Sequence, residues 1–235
     1  GTGMDNVDRA YAAEKGIEVR NTPDGPTLAV AELTLGLILT LLRQVPHQDR
    51  ELRSGVWKKR MGNLLHGKNV GIVGFGKIGQ AVAHLLEPFG VNVGYHDPFA
   101  DVPGYTRLEL DDLMGWADVI TLHCPKTENG APLLDLGRLS LMRPGSIILN
   151  IARGGLIDEK ALLGLLTAGH LAGAALDCFT KEPYDGPLKE MDNVILTPHM
   201  AFYSDTALFD CLRIACQNLT YYLNGEHDKV NRFVP

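Results

Sequence analysis

The chain has 235 residues, 45% of them hydrophobic and 21% charged, with a formal net charge of −6. This is the profile expected of a soluble globular protein, long enough for one large α/β domain or for one domain with a smaller appendage. No basic run is present, so nothing suggests a nucleic-acid groove, and the mild acidity names no partner.

In chain order, "DNVDRAYAAEKGIEVRNTPDG" (5–25) reads as a helix, a short strand and a turn. The most apolar stretch, "LAVAELTLGLILTLL" (28–42), is shorter than a membrane span needs and contains Glu32, Thr34 and Thr40. Its apolar residues run almost around the helix, so it should be covered on more than one side, by core or by another subunit. No signal peptide is evident, and no membrane segment is expected. The opening "GTGMDNVD" lacks an initiator methionine and is read as the edge of a fragment or trimmed chain.

From residue 69 the pattern alternates. "NVGIV", "VNVGY", "DVITLHC", "SIILNI", "LAGAALDCF" and "NVILTPH" read as six strands. Between them "KIGQAVAHLLEPFG", "LELDDLMGWA", "DLGRLSLMRPG" and "DEKALLGLLTAGH" have helical spacing. Continuous apolar strands separated by helices mean a parallel sheet covered on both faces, a doubly wound, Rossmann-like α/β domain over 27–200. "SDTALFDCLRIACQNLTYYLNG" (204–225) reads as one long amphipathic helix ending at Gly225. Residues 1–26 and 201–235 are expected to be remnants of a second, smaller domain. Cys124, Cys178, Cys211 and Cys216 form no CxxC pair. They are read as free thiols in a reducing compartment, the cytoplasm, with disulfide or zinc use the weaker reading and no metal site expected.

"VGIVGFGKIGQAVAHLL" places Gly74, Gly76 and Gly79 between the first strand and its helix. One glycine makes a tight turn, the next lets backbone approach a pyrophosphate, and the third lets helix pack on strand, while the helix N-terminus offers N–H groups to phosphate. Asp97, in "YHDPF", ends the second strand about twenty residues further on, where an acid accepts hydrogen bonds from ribose hydroxyls. It would repel a 2′-phosphate, and no Lys or Arg follows before Arg107, so the cofactor expected is NAD over NADP. Taken alone, Asp97 has a blander alternative, a turn-forming Asp-Pro.

Three later strands end in polar chemistry: Arg153 with Gly154 and Gly155, then Asp177 with Glu182 in "CFTKEP", then His199 in "TPHMAFY". Arginine can grip a carboxylate bidentately, histidine can exchange a proton near a forming alkoxide, and a carboxylate beside it fixes the imidazole. Individually each has a bland alternative: a structural ion pair, a solvated loop acid, an ordinary histidine.

"GTGMDNVD", "NTPDG", "GIVGFGKIG", "NIARGGLIDEKAL", "GAALDCFTKEP" and "TPHMA" resemble the D-isomer-specific 2-hydroxyacid dehydrogenases over nearly the whole chain, with the phosphoglycerate dehydrogenase branch the nearest by eye. The resemblance implies that Arg153, Glu182 and His199 are catalytic, that Asp177 orients the nicotinamide carboxamide, and that two copies meet through their NAD-binding domains. The cofactor set is then Gly74, Gly76, Lys77, Ile78, Gly79, Asp97, Cys124, Pro125, Ala152, Asp177 and His199. The small flanking parts become remnants of a substrate domain, and the substrate a small 2-hydroxy or 2-oxo acid. Two departures stand out. The family's further amino-terminal segment is not among the residues read, so an incomplete form is expected, and "HMAFYSDTA" is closer to D-lactate-type enzymes or NAD-binding corepressors. The alternative reading is therefore an NAD(H)-sensing interaction protein without significant turnover.

Overall fold

The structure is a computed structural model, and it describes residues 1–230. Seven strands, β1 (Asn69–Val73), β2 (Asn92–His96), β3 (Thr106–Arg107), β4 (Val119–Leu122), β5 (Ile147–Asn150), β6 (Gly173–Leu176) and β7 (Val194–Leu196), pair in the order β3-β2-β1-β4-β5-β6-β7. Every pairing is parallel. All four positions of β4, β5 and β6 are buried, which is why these segments are apolar without alternation. β3 is the strand that periodicity does not reveal: two exposed residues at the sheet edge, too short and too polar to leave a pattern.

The covering helices are α4 (Lys77–Leu86), α5 (Leu110–Trp116), α6 (Leu136–Leu141) and α7 (Glu159–Thr167). α4 turns Gly79, Val82, Ala83 and Leu86 inward, the spacing of one helical face. Leu113, Met114, Leu139 and Leu162 pack with Ile120, Ile148 and Leu176 of the strands. Full burial stabilises each such side chain by roughly 1.5–3 kcal/mol. α7 is started by Asp158, whose carboxylate accepts from the N–H groups of Lys160 and Ala161.

The chain builds β1, β2 and β3 outward on one side and then returns to place β4 on the other side of β1. Ligands of open α/β sheets bind beyond the carboxyl ends of the strands at such a reversal.

By contacts, the chain divides into two units, Gly1–Val30 with the segment from Ala201 onward, and Ala31–Met200. The first holds α1 (Arg9–Glu14) and α8 (Asp205–Leu223), the latter capped by Ser204. The short strand expected within 5–25 is reduced to a single β-bridge residue, Arg20, because residues 17–19 form no ladder among the described residues. α2 (Thr27–Leu42) buries Val30, Ala31, Leu37, Ile38 and Leu42 and leaves Leu28 exposed, so the chain by itself covers one side of it rather than several. α3 (Val45–Arg53), which the sequence reading did not single out, buries no residue. Among the described residues, no single helix is long and apolar enough to cross a membrane.

Candidate active site

The glycine turn sits where β1 meets α4, and two of its three glycines exclude a side chain, for different reasons. Gly74 has φ +90, and a Cβ there would lie 2.7 Å from the backbone of His123 and Cys124. A Cβ on Gly79 would lie 2.2 Å from the Gly74 carbonyl, so only glycine lets α4 pack this close to the turn. Gly76 is the N-cap of α4, no side chain bonds to it as a cap, and a Cβ on it would meet nothing within 4 Å. A helix N-terminus without a side-chain cap, beginning here at Lys77 and Ile78, is the kind of end that suits a pyrophosphate. Phe75, between the glycines, turns inward and stacks on Tyr95 with ring centroids 4.0 Å apart.

Asp97 is bound to this turn. One carboxylate oxygen accepts from the Phe75 N–H at 2.7 Å, the other from Phe99 and Ala100 at 2.8 and 3.0 Å. The Asp-Pro turn is thus formed, and the same side chain ties it to the glycine turn. Burial pushes its carboxyl up, but the three N–H groups and nearby His96 outweigh that and hold it below the usual carboxylate range. Arg107 of β3 donates to the Pro98 carbonyl at 3.2 Å, so the first basic residue after Asp97 is bonded to the Asp97 loop.

At the end of β4, burial and the Asp97 charge push the Cys124 thiol up to about 11. Two residues on, beyond Pro125, exposed Lys126 lies in electrostatic reach of Glu182 and Cys178. Sequence reasoning passed over Lys126, although the rule that strand ends carry function points to it.

Arg153 follows β5. Its guanidinium donates to the Ala152 carbonyl at 2.8 Å, and its own carbonyl accepts from the Asn150 amide at 2.9 Å. The glycines behind it have a clear cause. A Cβ on Gly154 would fall 1.7 Å from the Phe179 carbonyl oxygen, and Gly155 has φ +84. The Arg153 turn is thereby pressed against the loop after β6. The Phe179 N–H in that loop donates to Glu182 at 3.0 Å, and Cys178 Sγ lies 3.5 Å from the Ala152 carbonyl.

Glu182 in turn meets His199: Oε2 stands 2.9 Å from Nδ1. Burial raises the Glu182 carboxyl, but the bonds from His199 and Phe179, with the charges of His199 and Lys126, bring it below its ordinary value. His199 has φ +54, a left-handed conformation that costs a non-glycine residue energy and persists only when its surroundings hold it. Asp177, fully buried, supplies the hold: one of its oxygens accepts from Thr197 Oγ1 at 2.6 Å and from the Met200 N–H at 2.9 Å, on either side of the histidine. Two strand ends and the intervening loop thus bring the predicted arginine, acid and imidazole to one edge of the sheet, while Gly74–Gly79 and Asp97 serve the neighbouring edge.

Residues 35–201 match the family model described as the NAD-binding domain of D-isomer-specific 2-hydroxyacid dehydrogenases. D-3-phosphoglycerate dehydrogenase of Methanocaldococcus jannaschii is 40% identical over 235 residues, covering 96% of this chain and 45% of that protein. The chain thus spans about half the length of the curated relatives it matches. D-lactate dehydrogenase of Aquifex aeolicus, solved with NAD and lactic acid, superimposes with a TM-score of 0.87 at 28% identity, covering 97% and 76% of the two chains. An NADPH-dependent glyoxylate/hydroxypyruvate reductase of Sinorhizobium meliloti, solved with NADP and malonate, does so with a TM-score of 0.87 at 34% identity, covering 95% and 72%. The matched model, the sheet order and the glycine turn agree: this chain belongs to the D-isomer-specific 2-hydroxyacid dehydrogenases and carries their nicotinamide-cofactor-binding domain.

Proposed function

We propose that the chain is the cofactor-binding and proton-transferring part of a dehydrogenase that interconverts a small D-2-hydroxy acid and its 2-oxo acid, with NAD preferred over NADP. The observation that carries this reading is the 2.9 Å contact between His199 and Glu182, on a loop held by Asp177 and pressed against the Arg153 turn. The cofactor, when bound, supplies or accepts the hydride at the substrate's second carbon. Arg153 binds the substrate carboxylate, for which its planar fork is suited. With a carboxylate at Nδ1, that nitrogen of His199 keeps its hydrogen, leaving Nε2 to give a proton to the forming alkoxide or to take one from the hydroxyl. Glu182 fixes the ring, and Asp177 keeps the histidine in its strained conformation in addition to facing the carboxamide.

Asp97 supports NAD, since a carboxylate already ordered by three N–H groups accepts ribose hydroxyls and repels a 2′-phosphate. Relatives named as phosphoglycerate dehydrogenases favour 3-phosphoglycerate or a lactate-like acid as substrate. Apolar surface at Trp57 and Met61, 84% and 91% exposed, together with the uncovered side of α2, supports a homodimer through the NAD-binding domains. Four free cysteines suit a reducing, cytoplasmic compartment.

The test is NADH oxidation by the protein of full family length, given phosphohydroxypyruvate, pyruvate or glyoxylate. Turnover with at least one oxo acid, abolished in His199→Ala with NADH binding kept, is the expected result. NADH binding without turnover on any of them would overturn the dehydrogenase reading in favour of a cofactor sensor.

A further inference from the structure

We propose that Cys178, Glu182 and His199 form a binding site for a zinc-class transition-metal ion, one that competes with the proposed proton chemistry. The ligating atoms of these three side chains all lie within 4.8 Å of one another. A tetrahedral zinc ion with sulfur at ~2.3 Å and nitrogen or oxygen at ~2.0–2.2 Å requires its ligand atoms roughly 3.4–3.6 Å apart. The Glu182–His199 pair, at 2.9 Å, has to open by about half an ångström and the sulfur to approach by about one, which is within ordinary side-chain movement.

The layout also fits the way such ions are held. Cys178 is 2% exposed at the base, while the Glu182 and His199 side chains are 39% and 46% exposed and flank it, giving an ion an entry path. Three protein ligands leave a fourth position for water or for an oxygen of a small acid. One thiolate, one imidazole and one carboxylate select zinc or cobalt over magnesium or calcium, which demand oxygen. Burial, with the charges of Asp177 and Glu182, pushes the Cys178 thiol up to about 12, so it is the ion itself that has to displace the thiol proton. On binding, the metal–sulfur bond replaces the S–H bond, and the thiol proton leaves to solvent. His199 and Glu182 are then engaged by the ion instead of by each other, so the loaded protein loses turnover while the glycine turn is untouched. The three ligands come from two different strand ends, which is why cysteine spacing in the sequence gave no hint of the site.

Titration of the reduced chain with cobalt(II) tests this. One ion per chain, a thiolate-to-cobalt charge-transfer band in the near ultraviolet, bleaching of that band by zinc, and its loss in Cys178→Val but not in Cys216→Ser are expected. No band at excess cobalt, or a band that survives in Cys178→Val, would overturn the proposal. Should Cys178→Val not fold by circular dichroism, Glu182→Gln decides: cobalt affinity falls by about an order of magnitude with the band retained, and unchanged affinity rejects the site.

Discussion

His123 makes the stability of this protein depend on pH in a way that can be worked out from its surroundings. Its Nε2 lies 3.0 Å from Thr121 Oγ1, and its Nδ1 is shut off from solvent without a hydrogen-bond partner. Burial of the ring lowers its pKa from 6.5 to about 3. Between those values the unfolded chain binds a proton that the folded chain refuses, so stability rises with pH across the window and is lost as pH falls from 6.5 towards 3. The full span is worth at most about 5 kcal/mol, at 1.36 kcal/mol per pH unit, and by about pH 4.5 roughly 2–3 kcal/mol of it has gone. His123→Asn keeps a polar group near Thr121 but has no titratable ring. Urea unfolding of both proteins at about pH 7 and about pH 4.5, at fixed ionic strength, isolates the histidine, because the depressed carboxyls of Asp97 and Glu182 titrate alike in the two. The variant starts less stable by about 1 kcal/mol from the altered hydrogen bond, and loses about 2–3 kcal/mol less on acidification. An equal loss in both proteins would refute the reasoning.

Asp97→Ala leaves the N–H groups of Phe75, Phe99 and Ala100 without their acceptor. Weakening of NADH binding by roughly 10- to 100-fold is expected from hydrogen bonds to a charged group, measured by nicotinamide fluorescence titration. Binding of NADPH should suffer less, with Arg107 bonded to the same loop, and an unchanged ratio of the two affinities would argue against Asp97 as the discriminator. Gly154→Ala sets a Cβ against the Phe179 carbonyl at 1.7 Å, so thermal unfolding should show a loss of about 1–3 kcal/mol, and a wild-type melting curve would mean that the Arg153 turn has slack. Glu182→Gln preserves shape and removes charge. Turnover in the full-length protein should drop about 100-fold with the NADH affinity unaltered, whereas a loss of both would mark a merely structural role.

Much of this molecule is written locally. The alternation of apolar runs with helical spacing specified six of the seven strands, because a strand buried on both faces must be apolar throughout, as in "VITL" and "IILN". The glycine turn was equally legible, since Gly74 and Gly79 are demanded by contacts within one strand–turn–helix unit and its immediate neighbour. β3 and α3 left no trace, being an edge pair of exposed residues and a helix that buries nothing. The family's motifs named Arg153, Glu182 and His199, yet nothing local explains why the glycines follow Arg153 or why His199 stands at φ +54. Those answers need residues distant in the chain: Gly154 yields to the Phe179 carbonyl, and Asp177 holds the histidine through Thr197 and Met200. The clustering of Cys178 with Glu182 and His199, and the reach of Lys126 toward them, are likewise products of parallel strand order. Periodicity records which face of an element is buried, while the identity of the atoms waiting at that face is set only when separate strand ends are brought side by side.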